Sequence, residues 1–150
     1  MAQSLSKVPV HIVFSTKNRD PLLDEAILPE VHQILGAICN DFECTPICVG
    51  GVEDHVHILC LLSKKIAIMK LVEQLKVRSC IWIKHKHQRY HNFHWQAGYA
   101  IFAIESNHTD EIAEYIKHQK EHHAEKSFKD EQRELMISAD IQWDERYIWD

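Results

Sequence analysis

The sequence predicts an α+β domain in which strand and helix patterns follow one another in the order β-α-β-β-α-β, with additional helices at the C-terminus. Segments rich in β-branched and aromatic residues alternate with segments whose apolar residues recur every three or four positions. The 150-residue length suits a single domain, residues 1–150, without linkers or repeats. This order is the ferredoxin-like, split βαβ plan, an antiparallel sheet with helices on one face and the other face left for a site or a partner.

The first half of the chain supplies three strands and the first helix. Residues 8–16 predict a strand, with Pro9 at its start, where a missing backbone donor is tolerated. A helix follows and ends near Asp41, beginning between Asp24 and Pro29. Residues 43–52 and 54–62 predict two strands, and the Gly50-Gly51 pair indicates a bulge or bend near their junction.

The second half begins with a helix over residues 66–86 and a strand over residues 98–106. A third helix follows, for which Thr109 is the expected N-cap. Ser127, with Asp130 three residues later, predicts the start of a fourth helix. The tail over residues 141–150 carries two tryptophans and a tyrosine, so we expect it to pack against the domain.

Composition argues against several protein classes. Hydrophobic residues make up 45% and charged residues 26%, which is ordinary for a globular domain. No run of 18 apolar residues predicts a membrane span, and the N-terminus lacks the apolar core of a signal peptide. Five cysteines without a Cys-x-x-Cys pair predict reduced thiols. We therefore expect a cytoplasmic protein.

The charge distribution gives a mixed signal for nucleic-acid binding. The formal net charge is −5, whereas general nucleic-acid binders are usually basic. The positive charge is local, however, and aromatic residues lie among the cations of one stretch, as in surfaces that stack unpaired bases. The candidate nucleic-acid-binding residues are Lys17, Arg19, Lys76, Arg78, Lys84, Lys86 and Arg89.

The segment around His55-Val56-His57 carries the strongest chemical signal. In a strand, residues two apart share a face, so the two imidazoles would lie side by side. In the predicted third helix, Tyr115 and Gln119 are four residues apart and would also share a face. Two imidazoles and an amide oxygen can hold a divalent cation, and a tyrosine hydroxyl beside that cation could attack a phosphate.

Four separated motifs give the chain a family resemblance. They are Phe14-Ser15-Thr16-Lys17-Asn18-Arg19, the segment Val49 to His57, Trp95-Gln96-Ala97-Gly98-Tyr99, and Tyr115 to Lys120. In this order and at these spacings they resemble the single-tyrosine HUH transposases of bacterial insertion sequences and the related repeat-associated tyrosine transposases. HUH stands for His-hydrophobic-His, here His55-Val56-His57. The resemblance covers the chain from about Val10 to Trp149.

The resemblance implies a metal-dependent enzyme that cleaves and rejoins single-stranded DNA at hairpin-marked ends. Tyr115 would be the nucleophile and would form a 5′-phosphotyrosine, while His55, His57 and Gln119 would hold Mg²⁺ or Mn²⁺. We expect both imidazoles to face a solvent-open site, with water and DNA oxygens completing the ligand shell. The resemblance also implies a homodimer, in which the tyrosine helix of one subunit often completes the His pair of the other.

Two other functions remain open at this stage. A His-rich metal-binding protein would explain the 12 histidines without a nuclease activity. A non-catalytic nucleic-acid-binding module would explain the basic stretch but leave the His pair without a role. A second His-x-His, His85-Lys86-His87, lies at a predicted helix end, where residues two apart do not share a face, and is therefore the weaker metal candidate.

Overall fold

The computed structural model describes residues 2–150 and contains one four-stranded antiparallel sheet in the order β2-β3-β1-β4. Its strands are β1 (Pro9–Ser15), β2 (Pro46–Val52), β3 (His55–Leu61) and β4 (Ala100–Ala103). The helices are α1 (Leu28–Asp41), α2 (Ile68–Lys86), α3 (Thr109–Lys117), α4 (Gln119–His122) and α5 (Phe128–Ser138). The predicted α+β, ferredoxin-like order with additional C-terminal helices is confirmed.

The main core lies between one face of the sheet and helices α1 and α2. Alternation along the strands sends Ile12 and Phe14 of β1 and Ile58 of β3 into this layer, and all three are fully buried. Leu35 of α1 and Leu75 of α2 meet them from the helix side. This layer supports the two central strands, β1 and β3, which pair in an antiparallel register.

The opposite face of the sheet is covered by the region after β4. Ile116 of α3 packs on Leu59, and Phe128 of α5 belongs to a cluster with Val13 and Phe102. Trp149 of the tail packs against this second cluster, as its aromatic character predicts. The expectation that helices cover only one face is therefore wrong within residues 2–150, because the chain's own apolar residues cover this face as well, although His55 and His57 do project from it.

The β2–β3 hairpin brings two parts of the chain unusually close together. Gly51 has a φ of 142°, which side chains rarely adopt, and it allows the tight connection through Glu53 and Asp54. At Gly50, an added Cβ would lie 2.6 Å from Ile116 Cγ2, so the glycine admits α3 against the edge strand. The register irregularity of β2 lies between Pro46 and Cys48, not at the glycine pair as the sequence suggested.

The two predicted helix starts have different outcomes. Ser127 is the N-cap of α5, and its hydroxyl accepts a hydrogen bond of 3.2 Å from the Asp130 amide. Thr109 instead is the first residue of α3, after the cap His108, and its hydroxyl donates to the Ser106 carbonyl. The chain turns into this helix one residue earlier than predicted because residues 106–108 already form a 3-10 turn.

The remaining expectations from composition concern cysteines and membrane segments. All five cysteines are free thiols. Across the described residues 2–150, none of the helices combines the length and the apolar character that crossing a bilayer requires.

Candidate metal centre and tyrosine site

The His pair projects from β3 into the layer beneath α3, α4 and α5. His55 and His57 point to the same face, as the period of a strand dictates, and each is 0% exposed. Their ring centroids are 5.0 Å apart. The predicted pairing of the two imidazoles is therefore present, whereas the expected solvent-open setting is wrong because the C-terminal helices cover both rings.

A carboxylate that the sequence analysis did not select lies at the centre of this cluster. Glu131 of α5 is 2% exposed, and its Oε1 lies 2.9 Å from His57 Nε2 and 3.4 Å from His55 Nε2. Its Oε2 lies 3.1 Å from Nε2 of His123, a residue that directly follows α4. Three imidazoles and one carboxylate thus offer ligand atoms that all lie within 4.8 Å of one another.

The three imidazoles are oriented in the same way. In each ring Nδ1 faces a partner outside the cluster: Asp54 Oδ1 at 2.7 Å for His55, His11 Nε2 at 2.7 Å for His57, and the Lys126 carbonyl at 2.6 Å for His123. Each Nε2 therefore faces the shared centre. Metal-binding histidines usually have this arrangement, in which the second nitrogen is held by an acceptor.

His11 forms the hydrogen bond that selects between the two neutral tautomers of His57. It is 1% exposed on β1, next to β3 in the sheet, and burial together with the neighbouring His57 lowers its pKa to about 3. A neutral His11 can donate to His57 Nδ1, which leaves the His57 Nε2 hydrogen for Glu131, or it can accept the Nδ1 hydrogen, which frees the His57 Nε2 lone pair for a cation.

The electrostatics of the cluster separate the two histidines of the pair. Burial alone would lower the pKa of His55, but hydrogen bonds and charge from Asp54 and Glu131 outweigh it and raise this pKa to about 9. Burial lowers the pKa of His57 to about 4, against an opposing hydrogen bond with Glu131. For Glu131, burial favours the neutral acid, yet hydrogen bonds from His123, His55 and His57 lower the pKa, so the carboxylate is ionised.

The predicted third ligand, Gln119, also lies in the cluster. Its Oε1 is 3.0 Å from His55 Nε2 and 2.9 Å from His123 Nε2. The side chain is buried, and its Nε2 has no hydrogen-bond partner within residues 2–150. An amide oxygen directed at two imidazole nitrogens places a fifth donor atom at the same centre.

Tyr115 lies at the edge of the cluster. Its ring centroid is 6.0 Å from that of His57, and its hydroxyl donates a short hydrogen bond to Glu131 Oε2. Its other ring contact is with His122, at 4.7 Å between centroids. Burial, followed by the hydrogen bond to Glu131, raises the pKa of Tyr115, so the phenol is protonated at neutral pH.

Tyr115 and Gln119 do not lie on one continuous helix as the sequence predicted. The helix α3 ends at Lys117, and Gln119 begins α4. The helix is interrupted at His118. The Nδ1 of its side chain donates a hydrogen bond to the Glu114 carbonyl at 2.7 Å, so its backbone amide donates to the Tyr115 carbonyl and not to that of Glu114. Both side chains nevertheless reach the same cluster.

These residues fit a divalent cation. Three convergent imidazole nitrogens, an ionised carboxylate and an amide oxygen form a mixed nitrogen and oxygen donor set. The outward hydrogen bonds of all three Nδ1 atoms are a further feature expected around a metal. The second His-x-His, His85 and His87, contributes no ligand to this or any other such group within residues 2–150.

Comparison with known proteins gives the family. The family model for IS200-like transposases matches residues 4–119. The chain belongs to this transposase family. The match includes β1 to β4, the His pair, Tyr115 and Gln119, but it ends before His123 and Glu131. No curated protein sequence gives a significant match.

Two solved structures share the fold of this transposase. One is a protein of Deinococcus radiodurans R1 assigned as a transposase, with a TM-score of 0.61 and 20% identity, covering 79% of this chain and 98% of that one. The other is a REP-associated tyrosine transposase bound to a REP hairpin, with a TM-score of 0.59 and 14% identity, covering 82% of this chain and 73% of that one.

The predicted nucleic-acid-binding residues of the transposase have varied surroundings. The ammonium of Lys76 donates to three carbonyls, of Gln96, Ala97 and Gly98, at 2.6–3.0 Å, and burial lowers its pKa to about 8. This contact ties α2 to the Trp95–Gly98 segment, so it favours a structural role. Four others have local partners: Arg19 with the Trp149 carbonyl, Arg78 with Asp41, Lys86 with Glu30 and Arg89 with Asp24.

Lys17 lines a surface cavity of about 400 Å³ together with Trp95 and Trp149. A neighbouring cavity of about 330 Å³ is lined by Arg19, Lys129 and Asp54, close to the hydrogen bond that orients His55. The two cavities share Asn18, and only the second borders Asp54, the hydrogen-bond partner of His55. Lys84 lies near the end of α2, away from both cavities.

Sequence patterns alone did not identify His11, His123 or Glu131 as members of the cluster. The hydrophobic pattern of α5 does contain a signal for Glu131, since it lies three residues after Phe128 and five before Met136, both buried. A carboxylate on the buried face of an amphipathic helix requires a partner. His123 lies outside regular structure and gives no comparable signal.

Proposed function

We propose that this transposase cleaves and rejoins single-stranded DNA through Tyr115, with a divalent cation held by the buried His cluster. The observation that carries the proposal is the placement of the Tyr115 hydroxyl on Glu131, the same carboxylate that contacts the His55 and His57 nitrogens. A nucleophile and a candidate metal centre are thereby adjacent in one chain.

In the proposed reaction the Tyr115 oxygen forms a bond to phosphorus and the P–O3′ bond breaks. The products are a 5′-phosphotyrosine and a free 3′-hydroxyl, and the retained phosphodiester energy permits rejoining without ATP. When bound, the cation would neutralise the charge that develops on the phosphoryl oxygens. His11 and Asp54 would keep the imidazoles of His57 and His55 in the ligating orientation.

Two ligand sets are possible around the cation. His55 and His57 belong to both, and Gln119 completes the set that the family resemblance implies. The contacts of His123 and Glu131 support a set with more nitrogen and one negative charge. Such donors bind Mn²⁺ more tightly than Mg²⁺, whereas Mg²⁺ is the more available ion in cells.

We propose DNA with a hairpin near its end as the substrate. Support comes from the related REP-associated tyrosine transposase, which was solved bound to a REP hairpin. Further support comes from two surface cavities of this chain, one lined by Lys17 with two tryptophans and the other by Arg19 and Lys129 beside Asp54, the partner of His55. A bacterial cytoplasm, where such DNA is found, is the proposed location.

A homodimer stays a prediction, but we now expect each of its active sites to be formed by a single subunit. Tyr115 contacts Glu131 and lies beside His57 of its own chain, which supports a complete site within each subunit. We therefore favour the cis arrangement over the shared one. Light scattering at micromolar concentration tests the dimer, and mixing His57→Ala with Tyr115→Phe tests the sharing, since only a shared site would regain activity.

The experiment that tests the proposal is incubation of the protein with hairpin-bearing single-stranded DNA and Mn²⁺, followed by a denaturing gel for a protein–DNA adduct. We expect an adduct with the wild-type protein and none with Tyr115→Phe, which keeps the ring and removes only the attacking oxygen. Tyr147→Phe is the matched control, because Tyr147 is 66% exposed. Cleavage that persists in Tyr115→Phe, with no adduct in either protein, would exclude the tyrosine mechanism.

The other two functions make different predictions in the same assay. A His-rich metal-binding protein without nuclease activity would bind Mn²⁺ and leave the DNA intact. A non-catalytic nucleic-acid-binding module would retard the hairpin in a native gel without requiring the metal. Neither accounts for the Tyr115 hydrogen bond to the carboxylate within the His cluster.

A further inference from the structure

Glu131 divides its two carboxylate oxygens between different partners. Oε1 faces the His pair, at 2.9 Å from His57 Nε2 and 3.4 Å from His55 Nε2. Oε2 accepts the hydrogen bond of the Tyr115 hydroxyl and lies 3.1 Å from His123 Nε2. One carboxylate therefore contacts both the candidate metal centre and the proposed attacking atom.

The structure of α5 places Glu131 at this position and no other acid of the same helix. Phe128 and Met136 bury the inner face of α5, and Glu131 lies on that face with 2% exposure. Glu134 points outward and pairs with Lys126, with 61% of its side chain exposed. Burying a carboxylate raises the free energy of the folded state unless the carboxylate is hydrogen-bonded. The four close partners of Glu131 therefore stabilise it at this one position.

Glu131 also lies outside the part of the chain that the family model matches, which ends at Gln119. Its role is therefore argued from the geometry of the C-terminal region and not from the family match. His123, which contacts the same oxygen as Tyr115, lies in that region too. A carboxylate that is hydrogen-bonded to a phenol can accept the phenolic proton when the phenol attacks phosphorus.

Resting on the proposed function, we propose that Glu131 is a catalytic residue that accepts the phenolic proton of Tyr115 during attack. As the Tyr115 oxygen bonds to phosphorus, its proton passes to Glu131 Oε2, and the P–O3′ bond breaks. The leaving 3′ oxygen takes a proton from water. In the rejoining reaction the steps reverse: the 3′-hydroxyl loses its proton to hydroxide, its oxygen attacks phosphorus, the bond between phosphorus and the Tyr115 oxygen breaks, and Glu131 returns a proton to that oxygen.

The geometry suits this role. A general base must lie within hydrogen-bonding distance of the proton it takes, and here the bond is already formed. No other carboxylate contacts the Tyr115 hydroxyl in residues 2–150. Moreover, the contacts of Glu131 with His57 Nε2 at 2.9 Å and with His123 Nε2 at 3.1 Å hold the carboxylate in place.

The test compares Glu131→Gln with the matched variant Glu134→Gln, which loses a carboxylate on the exposed face of the same helix. Single-turnover adduct formation on the hairpin DNA is measured first at the Mn²⁺ concentration that saturates the wild type and then at higher concentrations, and Mn²⁺ affinity is measured separately by calorimetry without DNA. We expect the adduct rate of Glu131→Gln to fall by about 100-fold or more, as for the loss of a general base. Glu134→Gln should match the wild type.

A pH series separates proton acceptance from a purely structural role. If the missing group is the proton acceptor, hydroxide substitutes for it, and the Glu131→Gln rate should rise about tenfold per pH unit above neutrality. The wild-type rate should rise less, so the ratio of the wild-type rate to the Glu131→Gln rate should fall as the pH increases. A ratio that stays constant with pH would overturn the proposal, as would a wild-type rate in Glu131→Gln.

Three further outcomes are distinguished. If a higher Mn²⁺ concentration restores Glu131→Gln fully, Glu131 acts only as a ligand and the proposal is wrong. If Glu131→Gln does not fold, the same measurements are made on Glu131→Asp, which keeps a carboxylate. Its rate of adduct formation should be reduced by less than the loss of about 100-fold expected for Glu131→Gln, and the difference from the wild-type rate should decrease with rising pH. Absence of any adduct with the wild type would instead refute the proposed function, and the two failures are therefore distinguishable.

Discussion

The close approach between Gly50 and α3 gives a prediction about how the tyrosine is positioned. Gly50→Ala adds a Cβ that would lie 2.6 Å from Ile116 Cγ2 and 2.8 Å from the Ile116 carbonyl oxygen. Ile116 is 1% exposed and packs with Leu59 and Ala113, so it has little freedom to move. Because Tyr115 precedes Ile116, any displacement of α3 also moves the proposed nucleophile.

The magnitude follows from two opposing effects. Carbon atoms pack at about 3.5–4.0 Å, so the new methyl overlaps its neighbours by about 1 Å. Overpacking of this kind typically costs about 1–3 kcal/mol. The loss of glycine's freedom in the unfolded chain offsets about 0.4–1 kcal/mol of that cost. We expect a net destabilisation of about 1–2 kcal/mol, or a Tm lower by about 2–8 °C for a chain of this size.

Gly36→Ala is the matched control. Gly36 lies inside α1, and the nearest atoms to an added Cβ are 3.9–4.0 Å away, which is ordinary contact. Alanine is favoured over glycine in a helix by about 0.5–1 kcal/mol, so this variant should melt at a higher temperature than the wild type. Both variants are compared by thermal denaturation, with adduct formation measured well below the transition.

The change in Tm should be negative for Gly50→Ala and positive for Gly36→Ala. We also expect a slower adduct rate in Gly50→Ala while the protein is still folded, since Tyr115 is displaced from Glu131. A Gly50→Ala protein that is as stable and as active as the wild type would mean that α3 does not rest on the edge strand as described, and the reasoning would be refuted.

Three further predictions concern stability and metal binding. Lys76→Met should destabilise the fold by about 2–3 kcal/mol in urea denaturation, because three carbonyl oxygens lose a charged donor, whereas Lys84→Met should change little; equal effects would contradict the structural role of Lys76. Ser127→Ala should cost about 1 kcal/mol through loss of the α5 cap, and an unchanged midpoint would argue against that cap. Mn²⁺ at about 100 times its Kd should stabilise the wild type by about 2.7 kcal/mol in thermal melts, His85→Ala equally and His57→Ala far less; stabilisation of His57→Ala to the wild-type degree would place the ion elsewhere.

Much of the architecture could be predicted from local sequence patterns. Strand and helix periodicities gave the β-α-β-β-α-β order, and the two-residue spacing of His55 and His57 placed both rings on one face of β3. The Ser127 cap was similarly evident, since a cap depends on a side chain and an amide only three residues apart. Such features rest on contacts between residues close in sequence.

Other features depended on contacts that local patterns do not encode. The break between Tyr115 and Gln119 arises from the His118 side chain, and helical spacing alone predicted a continuous helix. The closed setting of the His pair could not be predicted either, because the covering side chains come from residues about 60–80 positions later, in a region that pattern analysis treated as accessory helices.

The sequence by itself determined the fold class, the His pair and the position of Tyr115 in the transposase family, because periodicity and short motifs are local properties of the chain. Only the tertiary structure decided which further groups meet them. Glu131 is 74 residues from His57 and His11 is 46 residues away, yet both bond to the same imidazole. Burial in a common layer joins them, since charged and polar groups removed from water must find partners wherever the fold brings them together.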